Sequence, residues 1–296
     1  MASTEPDDQQ RSTPIRAGGM DWPVYWRQKA EARLAIREAV GSAAADSSTD
    51  SWANRAEQFA RRSRELNVDS DPLALAIRAA VRPADSVLDV GAGAGRYTFA
   101  VAPLVAQVTA VEPSAGMRAA LQQEATTRKL TNITVVPSRW EEAAIEPHDI
   151  AFVSSVLYFV ADAVPFLDKL DRSARRACYI FHRVEERAAV LGPGWDELAG
   201  SRPPEPGFLD LHNLLFALGI RANTRILRTP ADRWYKNIDE ALEDARQLLG
   251  GDPTDHADDS RIRDFLAGAL VQKERGLRLR GTPEIGVIWW EKGVAM

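Results

Sequence analysis

Cysteine is almost absent from this chain: Cys178 stands alone among 296 residues. One thiol makes no intramolecular disulfide and no cysteine-rich zinc site. Histidine is scarce too, four in all, so a metal centre would need Asp and Glu as partners, and none is expected. No apolar run approaches the roughly 20 residues that span a bilayer. The opening MASTEPDDQQ lacks the basic and apolar regions of a secretory signal. These absences lead to the expectation of a soluble, cytoplasmic protein with no membrane partner. Positive charge is not in surplus either. Lys+Arg 37 against Asp+Glu 42 leaves a formal net charge of -5, which provides no broad cationic face for generic nucleic-acid binding. What the chain does have is apolar material, 45% of residues, enough for a sizeable core, and eight Trp.

Residues 1–18 are rich in Ser, Thr, Pro, Asp and Gln and read as a flexible tail. Over 19–82 the rhythm is helical. Trp22, Trp26, Ala30 and Leu34 recur every fourth residue, the stripe of an amphipathic helix. After the loop-like GSAAADSSTD, Asp50 or Ser51 caps a second helix with Trp52, Ala56, Phe59 and Ala60 on one face. Asp71-Pro72, a cap followed by proline at the first helical position, starts a third.

After Pro83 short apolar runs alternate with helical stretches. Strands are expected at Ser86–Val90, Val108–Val111, Ile133–Val136, Ile150–Val153 and Cys178–Phe181, with helices near Arg96–Leu104, Ser114–Leu130 and Ala163–Ser173 between them. Continuous apolar strands alternating with helices predict an α/β fold, a doubly wound, mostly parallel sheet over 83–230. Residues 231–283 read as a helical insertion, with Lys273–Arg280 a solvated helix end, and 284–296 as the last strand of the core sheet, Trp289 and Trp290 packing on opposite faces. The N-terminal helices and the insertion together form a helical cap. Asp255, His256, Asp258 and Asp259 read as a solvated loop and helix start.

The informative segment is Val87-Leu88-Asp89-Val90-Gly91-Ala92-Gly93-Ala94-Gly95-Arg96. A buried strand carries an acid near its end and runs into a loop with glycine at every second position, which then opens a helix. Glycine permits positive φ and lets the backbone approach a ligand that a Cβ would block. The next strand ends at Glu112, where a carboxylate can accept two hydrogen bonds from a ribose diol. A dinucleotide fingerprint would read G-x-G-x-x-G. The spacing here is instead Asp89-x-Gly91-x-Gly93-x-Gly95.

This pattern resembles motif I of the class I S-adenosylmethionine-dependent methyltransferases, over about residues 85 to 182 and more loosely beyond. The resemblance implies the Rossmann-like methyltransferase fold and S-adenosyl-L-methionine as cofactor. Its amino-acid end would lie on the glycine loop, Asp89, Gly91, Gly93 and Gly95, and its ribose on Glu112. Pro113, Ser114 and Met117 follow as they often do in that family, which implies Met117 against the adenine. Ser138 stands where the family often has an acid that meets the adenine amino group. Trp140 either covers the adenine face or packs in the core. Ser154, at the end of the fourth strand, joins the cofactor group. The Asn/Asp-Pro-Pro-Tyr signature of adenine and glutamine N-methyltransferases is absent.

Ligands of doubly wound sheets bind beyond the carboxyl ends of the strands, so Ser155, Tyr158 and His182 are the acceptor-side candidates. His182 ends the Tyr-Ile-Phe strand and suits a general base, or alternatively bonds a loop carbonyl. Tyr158 orients substrate or plugs the core, and His212 faces either pocket or solvent. The Trp-bearing N-terminal helices form a lid or a homodimer contact. The expected function is methyl transfer to a small molecule. A silent methyltransferase-like binding protein, a methyltransferase for RNA or protein, and an NAD(P) dehydrogenase remain as alternatives.

Overall fold

The computed structural model describes residues 19–41, 52, 56–184, 194–200, 205–229, 234–249 and 258–293. The expected tail, the Asp50/Ser51 cap and the Asp255-His256 pair lie outside them. Three helices precede the sheet: α1 (Trp22–Gly41), α2 (Ala56–Arg64) and α3 (Pro72–Ala80). The Asp71 carboxylate accepts from the Leu73 and Ala74 N–H groups at 3.0 and 2.8 Å, so α3 starts where its cap and proline predict.

Strands and helices then alternate: β1 (Ser86–Val90), α4 (Thr98–Val101), β2 (Gln107–Val111), α5 (Ala115–Thr127), β3 (Ile133–Val136), β4 (His148–Ser154), α6 (Ala163–Arg172) and β5 (Ala174–Arg183). They are followed by α7 (Trp195–Ala199), α8 (Phe208–Ala217) and β6 (Asn223–Arg228). A smaller unit comes next: β7 (Trp234–Tyr235), α9 (Ile238–Leu249), α10 (Asp259–Ala269), β8 (Leu270–Lys273) and β9 (Gly276–Leu279). The chain then returns as β10 (Glu284–Glu291). The main sheet has seven strands in the order β3-β2-β1-β4-β5-β10-β6. β1 to β5 are parallel, and β10 runs antiparallel to both its neighbours.

Both faces of this sheet are covered, which is why its strands read as unbroken apolar runs. Leu88, Val90, Val153, Ile180, Ile288 and Trp290 pack with residues of α1, α6 and α8. Val87, Ile150, Phe152, Phe181 and Val287 pack with residues of α3 and α4. Trp289 stacks on Tyr179 at 6.4 Å, while Trp290 on the other face donates its indole N–H to Asp171 at 2.8 Å. The two rings divide between the faces as strand alternation requires.

The insertion differs from the helical one expected. It holds a three-stranded sheet, β7-β9-β8, as well as helices, and the core it forms with α7 is its own, built from Trp195, Tyr235, Leu242, Ile262 and Leu266. Lys273–Arg280 is therefore a β-hairpin and not a helix end. Lys273 pairs with Gly276, which has φ +123 and sits so close to Tyr235 that a Cβ would stand 2.4 Å from its carbonyl oxygen. Polar contacts tie this unit to α2, through Arg61–Glu240 at 2.9 Å and Arg275–Glu65 at 3.6 Å.

One packing point in β10 is unusually tight. A Cβ on Gly286 would lie 2.1 Å from the Phe208 ring of α8. We expect Gly286→Ala to destabilise the fold by about 1–3 kcal/mol through overpacking. Combined with Phe208→Ala, it should cost less than the two separate losses summed. Additive losses in urea unfolding would show that the contact does not limit the packing.

Candidate active site

The carboxyl ends of β1, β2, β4 and β5 converge on one edge of the sheet. After β1, Gly91, Gly93 and Gly95 all have positive φ (71, 56 and 85°). A Cβ on Gly91 would stand 2.4 Å from Val156, in the segment following β4. One on Gly95 would stand 2.6 Å from the Phe99 ring. A Cβ on Gly93 would meet nothing within 4 Å. Two of the glycines thus let neighbouring elements close in, and the third faces open space.

The loop is held by its neighbours. Gly91 and Ala92 donate backbone N–H bonds to the Val111 carbonyl at 2.8 and 3.2 Å. The buried Glu112 carboxylate accepts from the Gly93 N–H with one oxygen and from the Ser114 N–H with the other, both at 2.8 Å. Ser114 in turn caps α5 by accepting from Met117 N–H at 3.2 Å. A carboxylate has about four acceptor positions. These two bonds orient Glu112, and a ribose diol needs two more. Pro113 passes the chain on to this cap, and its carbonyl accepts from Arg118 at 2.6 Å.

Asp89 lies beneath the loop, 3% exposed, and accepts from the Thr98 hydroxyl at 2.5 Å. Burial pushes its carboxyl up to about 7, the Thr98 bonds oppose the rise and the neighbouring Glu112 charge adds to it. Thr98, the first residue of α4, is the partner that sequence reasoning missed. A hydroxyl residue at the start of the helix behind a glycine loop was the available signal.

The residues expected on the adenine side have partners of their own. Met117 is buried against Ala56, Ala60 and Ala94, so it anchors α2 onto the loop. Trp140 belongs to the core. Its N–H donates to the Phe166 carbonyl at 3.2 Å, the Phe166 ring lies 6.1 Å away, and Lys169 sits 4.6 Å over the indole. The residue is 4% exposed, in keeping with the core-packing reading. The Ser138 hydroxyl donates to the Arg139 carbonyl at 2.9 Å. Ser154 is half-buried at the end of β4, and Ser155 beyond it takes φ 60, rare for a residue with a Cβ, while its N–H bonds the Phe181 carbonyl at 3.1 Å.

The ends of β4 and β5 bring Tyr158 and His182 together, ring centroids 4.2 Å apart. The Tyr158 hydroxyl accepts from the Arg183 N–H at 2.5 Å, and the Arg183 guanidinium lies 4.5 Å over its ring. His182 is 1% exposed, and Nδ1 sits 3.0 Å from the Arg183 carbonyl, a contact that assigns the proton to Nδ1. Nε2 is then a bare acceptor, with no hydrogen-bond partner among the described residues. The carbonyl contact is the alternative that the sequence left open for this residue. Burial pulls His182 down to about 4, so the ring is neutral near pH 7. Trp26 of α1 closes over it edge-on at 6.2 Å and donates its N–H to the Val160 carbonyl at 2.9 Å. Glu205 receives Arg33 and Arg183 at 2.8 and 2.9 Å, and Lys29 reaches Asp210 at 2.7 Å. His212 on α8 has a buried Nδ1 without a partner among the described residues.

No described group of three His, Cys, Asp or Glu can hold a metal. A cleft of about 370 Å³ lined by Ser86, Gln107, His148 and Arg175 opens at the opposite, amino edge of the strands and shares none of these groups.

Comparison with known proteins agrees with this geometry. Residues 88–181 match the family model described as a methyltransferase domain. The fold is shared with solved structures. YcgJ from Bacillus subtilis is 17% identical, over 75% of this chain and 98% of its own, with a TM-score of 0.53. A putative methyltransferase from Bacillus halodurans is 14% identical, over 77% and 99%, with a TM-score of 0.51. No curated protein matches the chain. No helix among the described residues is long and apolar enough to cross a membrane.

Asp89 supplies a stability test. Unfolded aspartate titrates near 3.9, so between about 4 and 7 the folded protein keeps a proton that the unfolded chain has lost. The stability contributed at Asp89 therefore falls as pH rises through that window. Asp89→Asn removes the titration, and its melting temperature should improve relative to the parent between pH 5 and pH 8. A difference that stays constant with pH would show Asp89 to be ionised throughout. His182 should give the imidazole ¹⁵N shifts of a neutral Nδ1–H tautomer at pH 6, and an imidazolium signal there would contradict its burial.

Proposed function

We propose that the protein is an S-adenosylmethionine-dependent methyltransferase acting on a small-molecule acceptor in the cytoplasm. The reading places the cofactor over Gly91–Gly95 with its ribose on Glu112, and the acceptor at the ends of β4 and β5. The observation that supports it most is Gly93. Its φ of 56 and the open space where a Cβ would stand form a cradle, and its N–H is already held by the acid that would take the ribose. Ser154 and the strained Ser155 border the same edge.

The bound cofactor would supply a methyl group on a sulfonium, activated without help from the protein. What the chain adds is position and dryness. Gly93 and Glu112 set the height of the cofactor above the sheet. α1, held by Trp26, Lys29 and Arg33, closes the acceptor side against water. Nε2 of His182, an acceptor without a partner among the described residues, would orient the O–H or N–H of an acceptor by taking a hydrogen bond from it, with the Tyr158 ring beside the imidazole. A net charge of -5 supports a small acceptor over a nucleic acid.

Calorimetry with S-adenosylmethionine tests the cofactor, and absence of binding by the parent protein would overturn the reading. Glu112→Ala should weaken binding at least tenfold. Gly93→Ala meets no steric neighbour, so the fold should lose only about 1–2 kcal/mol to left-handed strain, while the methyl fills the cradle and binding is lost. A Gly93→Ala protein that binds as the parent does would place the cofactor elsewhere.

A further inference from the structure

Two arginines from different elements meet on one carboxylate beyond the ends of β4 and β5. Arg33 of α1 lies 2.8 Å from one oxygen of Glu205, and Arg183, the last residue of β5, lies 2.9 Å from the other. Neither guanidinium pairs with a second carboxylate among the described residues. The side chains of Arg33, Arg183 and Glu205 are only 16, 18 and 13% exposed, so water does little to screen them. Beside them Lys29 of α1 pairs with Asp210 of α8 at 2.7 Å, one cation for one acid. Three cations thus stand against two acids at this edge, in a chain whose net charge is -5.

The cluster adjoins His182. The Arg183 guanidinium lies 4.5 Å over the Tyr158 ring, and that ring lies 4.2 Å from the imidazole, so one ring separates the two. Trp26, which closes over His182, and Arg33 stand two turns apart on one face of α1. The charges that bear on His182 are those of Arg183, Glu205 and Asp210. A guanidinium presents parallel N–H donors that fit both oxygens of a carboxylate. Glu205 gives each arginine one oxygen only, which leaves donors on both forks and one positive charge in surplus.

Building on the proposed placement of the acceptor at the ends of β4 and β5, we infer that the acceptor is a small carboxylic acid. Its carboxylate is held by Arg33 and Arg183, and its O–H or N–H lies against Nε2 of His182, about one ring away. A surplus of one charge fits a monoanion better than a phosphate dianion. The two arginines come from separate elements, one from the sheet and one from the helix that covers it. A carboxylate between them therefore also fastens α1 over the site, so that the anchor of the acceptor and the closure against water are the same contact.

The test is calorimetry of the whole protein with 4-hydroxybenzoate, which carries a carboxylate and an O–H across one ring. The comparisons are 4-hydroxybenzamide, neutral and of similar shape, and 4-hydroxyphenyl phosphate. The acid should bind at least about tenfold more tightly than the amide, and Arg33→Gln should remove most of that preference. Glu205→Gln frees both guanidiniums and should raise the affinity for the acid several-fold, whereas a purely structural pair would lose stability and gain no affinity. No binding of the acid, equal affinity for acid and amide, or tighter binding of the phosphate would overturn the inference. So would a preference that survives Arg33→Gln, or a folded Glu205→Gln protein with no gain. The parent protein alone can overturn it, so the test does not depend on either variant folding. S-adenosylhomocysteine is titrated separately. Its failure to bind would overturn the cofactor reading, and the comparison of acid with amide on the unloaded protein would still decide the anion site.

Discussion

One carboxylate holds two turns together. Glu112 accepts from Gly93 in the turn after β1 and from Ser114 in the turn after β2, so the two turns are positioned by the same rigid group. Ser114 then caps α5, and α5 packs Met117 against Ala94 and the alanines of α2. The glycine loop, the first helix behind β2 and the helix that covers the loop therefore share one electrostatic pin. Because the bonds join a charged acceptor to backbone N–H groups, they are stronger than neutral ones and do not depend on a flexible side-chain donor.

The acceptor side is organised by different means. Here α1 is fastened by its side chains: the Trp26 indole to the Val160 carbonyl, Arg33 to Glu205 and Lys29 to Asp210. Glu205 also takes Arg183, whose backbone N–H fixes Tyr158. Backbone geometry shapes the glycine-loop edge, which the proposed reading gives to the cofactor, and long side chains from a separate helix assemble the edge at the ends of β4 and β5, which it gives to the acceptor. That difference matches what each half must do. A single cofactor is met the same way every time, while an acceptor has to be admitted and then shut away from water.

The same contrast explains what could be read from the sequence. The sheet was legible because strands buried on both faces are unbroken apolar runs such as Val87-Leu88 and Ala151-Phe152-Val153. The glycine loop was legible because only one residue type fits positions such as Gly91 and Gly95. Trp140 was not, because an indole carries the same signal whether it stacks on a ligand or, as here, fills a core against Phe166. Glu205 and Arg33 act through partners far away in the chain, and no local pattern marks them. The β8–β9 hairpin escaped notice because its charges, Lys273, Glu274, Arg275 and Arg278, outweigh the alternation of Leu277 and Leu279.

The place where the small cap joins the sheet carries a consequence for how such a molecule changes over time. The cap leaves from β6 and returns into β10, and these strands are antiparallel neighbours, Arg228 facing Glu284 with a further bond from the Thr229 N–H to the Pro283 carbonyl at 2.9 Å. In topological terms everything between residues 229 and 283 is one enlarged hairpin loop with its own core and its ends already clasped. Closing such a loop costs entropy that grows only with the logarithm of its length. The segment can therefore be lengthened, shortened or exchanged without altering the register of any strand or the glycine loop at the far side of the sheet. The cap is free to diverge while the sheet and its glycine loop stay fixed.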